Sequence, residues 1–279
     1  MTVRAARHRL QQALQPHSET AALDAGVALA RLLGRPRAWV LAHPEARLAP
    51  AQVRAVQQAA ARLARGEPLP YVLGEWAFWG RPFFVSPAVL IPRPESETLV
   101  ERALALAPPR QRPWRVADVG TGSGCLAVTL AAEHPRARVV ATDRAWDALQ
   151  VARRNARRHA VAARVHLVQA DGLHGVAGPF EVIVANPPYI PSGALAHLAV
   201  ARHEPRHALD GGPDGLVWVR DWLTQAATRL TPGGAVLMEI GADQAAAAQA
   251  LAHRIFPQAQ MRVHPDLAGR PRVLEVRIP

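Results

Sequence analysis

The 279-residue sequence predicts an α/β protein: a doubly wound, mostly parallel seven-stranded sheet, preceded by a small all-helical domain and joined to it by a β-hairpin. Three observations predict this. From Trp114 onward, apolar strand-like runs alternate with helical stretches. Several of those runs are apolar throughout rather than alternating, as strands covered by helices on both faces must be. Before residue 73, by contrast, the apolar spacing is helical.

In the first segment, Val3, Leu10 and Leu14 recur at helical spacing. Ser18 with Glu19 opens a second helix that runs to Leu33, where Gly34 and Pro36 stop it. Helical stretches follow over Trp39 to His43 and Gln52 to Arg65, the latter closed by Gly66 and Pro68, so residues 1–72 are assigned to a helical domain. Residues 73–92 read as a hairpin linker. Trp76, Phe78, Trp79, Phe83, Phe84 and Val85 are interrupted by Gly80, Pro82 and Pro87. Residues 93–279 form the third segment, with strands expected over Arg115–Val119, Arg138–Thr142, Val165–Gln169, Glu181–Ala185, Ala235–Ile240, Met261–His264 and Val273–Ile278. Strand–helix–strand order demands right-handed crossovers, hence a doubly wound sheet.

Composition excludes some function classes. No stretch approaches the roughly 18 apolar residues of a membrane span. Arg4, Arg7 and Arg9 are followed by no apolar core, so no secretory signal is expected. One cysteine, Cys125, permits neither an internal disulfide nor a cysteine-based zinc cluster, and a reducing cytoplasm is the expected compartment. The net charge is +11, with arginine supplying all 33 Lys+Arg residues. The arginines are dispersed apart from one cluster, Arg153, Arg154, Arg157 and Arg158. Direct nucleic-acid binding is compatible with this charge but not favoured by it.

The first strand of the third segment runs into Asp118-Val119-Gly120-Thr121-Gly122-Ser123-Gly124, with a helix expected from Cys125. Glycines there allow a sharp strand-to-helix turn and the close approach of a ligand. The pattern is G-x-G-x-G, whereas a dinucleotide fingerprint requires glycine at position 125. Asp143 ends the second strand, where a carboxylate accepts the hydrogens of a ribose diol. Asp171 ends the third, followed by Gly172 and Leu173, a place for an adenine to be bonded and packed on an apolar side chain. Together the three strand ends point to a nucleoside cofactor.

The fourth strand ends in Asn186-Pro187-Pro188-Tyr189. Two prolines remove two backbone donors and leave neighbouring carbonyls as acceptors. Asn186 adds a side-chain acceptor and Tyr189 a flat face for stacking. Such a set suits a planar NH2 group, whose two hydrogens need two acceptors. Accepting from both localises a lone pair that amide resonance otherwise withdraws.

The glycine loop with Asn186–Tyr189 resembles class I S-adenosylmethionine-dependent methyltransferases acting on exocyclic or amide nitrogens. Tyr71-Val72-Leu73-Gly74-Glu75 with Phe78 and Trp79, and Leu90 through Glu97, resemble the segments preceding the catalytic domain in peptide-chain release factor glutamine methyltransferases. Glu204-Pro205, Ala208-Leu209, Gly211-Gly212, Asp214-Gly215, Pro232-Gly233-Gly234, Glu239-Ile240-Gly241 and Asp266 through Gly269 are similar to that family's later segments. The resemblance covers nearly the whole length. It implies S-adenosylmethionine as cofactor, S-adenosylhomocysteine as product, no metal, and methylation of the Gly-Gly-Gln glutamine of class I release factors. Gly120, Thr121, Gly122, Ser123, Gly124 and Asp143 would then hold the cofactor, with Asp171, Gly172 and Asn186 beside it. Asn186, Pro187, Pro188 and Tyr189 would receive the glutamine. The chain departs from some members in having Gly172 where they carry a large aromatic. The alternatives are an N6-adenine methyltransferase of nucleic acid, a glutamine methyltransferase of a ribosomal protein, or a non-enzymatic binding protein on the same scaffold. Arg93 and Glu95 match the family motif without an assigned chemistry, a domain-joining ion pair being one reading.

Two further signals are set aside. His203-Glu204-Pro205-Arg206-His207 matches H-E-x-x-H, but Pro205 costs about 3 kcal/mol inside the continuous helix that zinc ligation requires. Cys125 reads as a small residue packing a helix on the sheet rather than as a nucleophile.

Overall fold

The computed structural model describes residues 1–279 and resolves into two compact units, Met1–Trp76 and Ala77–Pro279. The first unit contains five helices: α1 (Val3–Leu14), α2 (Ala21–Leu33), α3 (Arg37–Ala42), α4 (Pro50–Ala64) and α5 (Leu69–Leu73). Their apolar faces enclose Leu10, Leu29, Val56 and Leu63, all 1% exposed or less. The Thr2 hydroxyl caps α1 by accepting from the Ala5 amide at 3.3 Å. Ser18 instead organises the approach to α2, accepting from the Thr20 amide and donating to Asp24, so this helix begins at Ala21. Arg62 ties α4 to α5 by donating to the Tyr71 and Val72 carbonyls at 3.0 and 3.1 Å and pairing with Glu67.

A two-stranded ribbon, β1 (Glu75–Phe78) and β2 (Arg81–Phe84), follows, and the unit boundary falls within β1. Phe78 and Phe83 are buried in the core of the second unit, so the segment from Ala77 to residue 92 is part of that unit's packing.

In the second unit α6 (Glu97–Ala105) leads into β3 (Trp114–Val119), α7 (Cys125–Glu133), β4 (Ala137–Asp143), α8 (Trp146–Arg158), β5 (Val165–Gln169) and β6 (Phe180–Ala185). A short turn of helix α9 (Ser192–Leu195), then α10 (Val217–Ala226), β7 (Leu230–Glu239), α11 (Ala245–Ile255), β8 (Gln260–Pro265) and β9 (Pro271–Arg277) complete the chain. The strands form one seven-stranded sheet in the order β5-β4-β3-β6-β7-β9-β8, parallel except for β9. All seven expected strands are present, and β7 begins earlier than expected because Leu230 pairs with Phe180 across an irregularity in register.

Successive residues of the central strands serve opposite faces. Val116, Val182 and Val184 pack with Leu99, Leu126 and Leu130, whereas Ala117, Ile183 and Ala185 pack with Leu223, Leu251 and Phe256. Both faces are therefore covered, which is why the strand sequences are apolar throughout. The chain winds outward through β4 and β5, then crosses to β6 on the other side of β3. The strand order thus reverses between β3 and β6, where open α/β sheets bind their ligands.

Candidate active site

A cleft opens at the carboxyl ends of β3, β4 and β6, wholly within the second unit. Of the expected residues, Gly120, Thr121, Gly122, Ser123, Asp143, Asp171, Gly172, Asn186 and Pro188 line it. Gly124, Pro187 and Tyr189 do not.

The glycine turn is built from its own hydrogen bonds. Thr121 faces inward, its hydroxyl donating to Asp118 at 2.6 Å, and its amide donates to the Thr142 carbonyl at 2.8 Å. Asp118 also accepts from the Ala127 amide and so fastens the strand end to the start of α7. It is fully buried with one oxygen unpartnered, and desolvation pushes its carboxyl up to about 7. At Gly122 φ is +55° and nothing lies within 4 Å of where a Cβ would stand. A ligand can therefore lie against the bare backbone.

Asp143 accepts from the Gly122 amide with one oxygen and from the Ala145 amide with the other, both at 2.9 Å. Each carboxylate oxygen retains a further lone pair for a hydroxyl in the cleft. Asp171 stands exposed at the rim. Leu173 does not form an adenine wall: it is 1% exposed in the core, its amide donating to Gln225 at 2.5 Å. A Cβ at Gly172, where φ is +61°, would lie 2.4 Å from Gln225 Oε1, so glycine here makes room for a side chain from α10. The indoles that line the cleft are those of Trp218 and Trp222, one helical turn apart on α10. Their i, i+4 spacing was visible in the sequence but reads equally well as core packing.

At the tip of β6, Asn186 Nδ2 donates to Ser96 Oγ at 2.9 Å, and Ser96 donates to Glu239 Oε2 at 2.6 Å. Tyr189 turns away from the cleft, its hydroxyl donating to Glu239 Oε1 at 3.2 Å and its carbonyl accepting from Gln244 at 2.9 Å. Ser96 and Glu239 are 2% and 1% exposed. Both lie in segments that resemble the family, but no local pattern joins residues so far apart in sequence.

Glu204 accepts from the Ile91 amide at 3.0 Å and from Arg93 at 2.5 Å, with its side chain 3% exposed. The Arg93 pair lies inside the second unit and does not join domains. This use of Glu204 also accounts for the H-E-x-x-H segment: its glutamate is an internal anchor, and the residues after Pro205 form a 3-10 turn. The Cys125 thiol, half-buried at the start of α7, is pushed up to about 12 by desolvation and is no thiolate nucleophile. Within the arginine cluster, Arg154 and Arg158 stack on Phe84 at 3.4 and 4.4 Å from the ring centroid, and Arg153 lies over Trp146. No helix is long and apolar enough to cross a membrane.

Comparison with known proteins matches residues 101–264 to the Methyltransferase small domain family and residues 3–74 to the PrmC N-terminal domain. The chain is 48% identical over 242 residues to a release factor glutamine methyltransferase of Moorella thermoacetica, covering 86% of this chain and 84% of that one. It is 41% identical over 264 residues to a protein of the same name from Bradyrhizobium diazoefficiens, covering 93% and 89%. A methyltransferase structure from Pyrococcus furiosus aligns with a TM-score of 0.53 at 20% identity, over 81% of this chain and 96% of that one, a likeness of fold.

Proposed function

The chain belongs to the release factor glutamine methyltransferase family, and from that premise we propose that it transfers a methyl group from S-adenosylmethionine to the side-chain amide nitrogen of the Gly-Gly-Gln glutamine of class I peptide-chain release factors. The observation that carries the reading is the shared cleft: a glycine cradle with Asp143 on one side and Asn186 with Pro188 on the other.

S-adenosylmethionine, when bound, supplies an electrophilic methyl group on a sulfonium. The bare backbone at Gly122 and the remaining lone pairs of Asp143 fit its ribose and amino-acid portions. Asn186 Oδ1 and a carbonyl of the Pro187–Pro188 turn would accept the two hydrogens of the glutamine NH2. They would hold the amide nitrogen with its lone pair directed along the line of attack. Positioning and fixed dipoles suffice for such a reaction; the amide nitrogen would exchange one hydrogen for the methyl carbon, that proton passing to water, and the mechanism calls on no enzyme nucleophile. The helical unit of residues 1–72 would help to dock the protein substrate, and the chain would act in the cytoplasm without a metal. Direct binding to nucleic acid is not needed for this reaction.

The test incubates the protein with labelled S-adenosylmethionine and a class I release factor, beside a release factor whose Gly-Gly-Gln glutamine is changed to alanine. Label on the first alone is the expected result. Label on nucleic acid or a ribosomal protein instead would replace the substrate while keeping the fold and cofactor.

A further inference from the structure

We infer that Glu239 and Ser96 are positioning residues that determine which end of the Asn186 amide faces the cleft, so that an acceptor and not a donor meets the substrate NH2 group. The inference rests on the reading that this substrate is a glutamine amide.

An ionised carboxylate only accepts. Ser96 has one hydroxyl hydrogen and gives it to Glu239 Oε2 at 2.6 Å. Ser96 Oγ can therefore meet Asn186 only as an acceptor, which turns Nδ2 toward it at 2.9 Å. The other end of the planar amide, Oδ1, is left for the cleft that Asn186 lines. Burial of Ser96 and Glu239 keeps water from supplying a different partner. The second carboxylate oxygen takes the Tyr189 hydroxyl, so one glutamate steadies both ends of the Asn186–Tyr189 turn.

Protonation of Glu239 removes this polarity. A carboxylic acid can donate to Ser96, freeing the serine to donate to Asn186 Oδ1. The amide then turns over, and its NH2 faces the substrate NH2. The charged and titratable groups around Glu239 are Tyr189 from the turn after β6, Arg272 from β9, Glu95 from the 3-10 turn before α6, and Cys125 at the start of α7. Burial raises the Glu239 carboxyl to about 6, the Ser96 bond and Arg272 offsetting only part of that. Turnover should accordingly fall as pH drops through this region.

The experiment compares full-length wild type, Ser96→Ala, Ser96→Thr and Glu239→Gln with a release factor as substrate. It records kcat, the KM for each substrate, cofactor affinity by calorimetry, and kcat between about pH 5 and 9. Ser96→Ala should lower kcat by about 10- to 100-fold with cofactor affinity held within about threefold, and should lose the acid limb near pH 6. Ser96→Thr, which keeps the hydroxyl, should restore both. A merely structural role for Ser96 would not move the acid limb. Glu239→Gln should lower kcat and abolish the limb, and it answers the same question if Ser96→Ala does not fold. Wild-type kcat with an unchanged acid limb in Ser96→Ala, or the limb persisting in Glu239→Gln, overturns the inference and leaves the substrate reading intact. Absence of any transfer to release factor by the wild type overturns both.

Discussion

Asn186 and Asp143 lie in one cleft and are separable by what each holds. In the proposed reaction Asn186 would present one acceptor to the reacting nitrogen, and its amide is anchored on Ser96 rather than on the glycine cradle. Asn186→Ala should therefore cut kcat about 100-fold and leave cofactor affinity nearly unchanged. Asp143 closes the cradle by accepting from the Gly122 amide, and in the proposed complex its remaining lone pairs would face the ribose. Asp143→Ala should weaken cofactor binding by about 10- to 100-fold, the loss of one or two charge-assisted hydrogen bonds. Calorimetry and steady-state kinetics on the two variants distinguish these roles. Loss of cofactor affinity alone in both variants would contradict the role of Asn186.

Helix α8 does more than cover the sheet. Its fully buried Asn155 accepts from the Phe84 amide at 2.7 Å and donates to the Phe84 carbonyl at 3.0 Å and to the Ser123 carbonyl at 2.8 Å. One side chain thus joins the end of β2 to the glycine loop, and Arg154 and Arg158 on the same helix cover Phe84 from outside. Removing the amide strands three buried or half-buried backbone groups. Asn155→Ala should lower stability by roughly 3 kcal/mol in urea unfolding. It should also weaken cofactor binding, because the Ser123 carbonyl loses its anchor. An unchanged midpoint would show that water replaces the amide there.

The sheet carries two buried carboxyls whose ionisation folding opposes. Asp118, at the end of β3, is raised to about 7, chiefly by desolvation, and Glu239 to about 6. For Asp118 the folded value lies above the unfolded one. The folded state therefore keeps its proton across a range in which the unfolded chain has lost it. This contribution to stability is complete below the unfolded value near 4 and disappears as pH rises through about 7. Asp118→Asn retains an acceptor for Thr121 and Ala127 but has no proton to exchange. Between pH 5 and 8 the urea midpoint of wild type should fall relative to that of Asp118→Asn. A constant difference between the two proteins would place the Asp118 carboxyl at an ordinary value. Activity and this part of stability should then respond to acid with opposite signs, since protonating Glu239 is expected to lower turnover.

The strands, the two-unit order and the glycine turn were legible because they are written in local pattern: apolar runs, helical spacing and turn residues act over a few positions. Asn186, Asp143 and the glycines were likewise legible, each marking the end of a strand. Tertiary structure alone decided what stands behind them. The Tyr189 hydroxyl found its acceptor in Glu239, and Leu173, expected to wall an adenine, lies in the core while Trp218 and Trp222 line the cleft. Arg93 found its partner in Glu204, 111 residues away, and Ser96 found Glu239 at a separation of 143. Local propensity carries no term for such pairs. They arise because a parallel sheet brings the carboxyl ends of distant strands to one edge, where buried polar groups must satisfy one another.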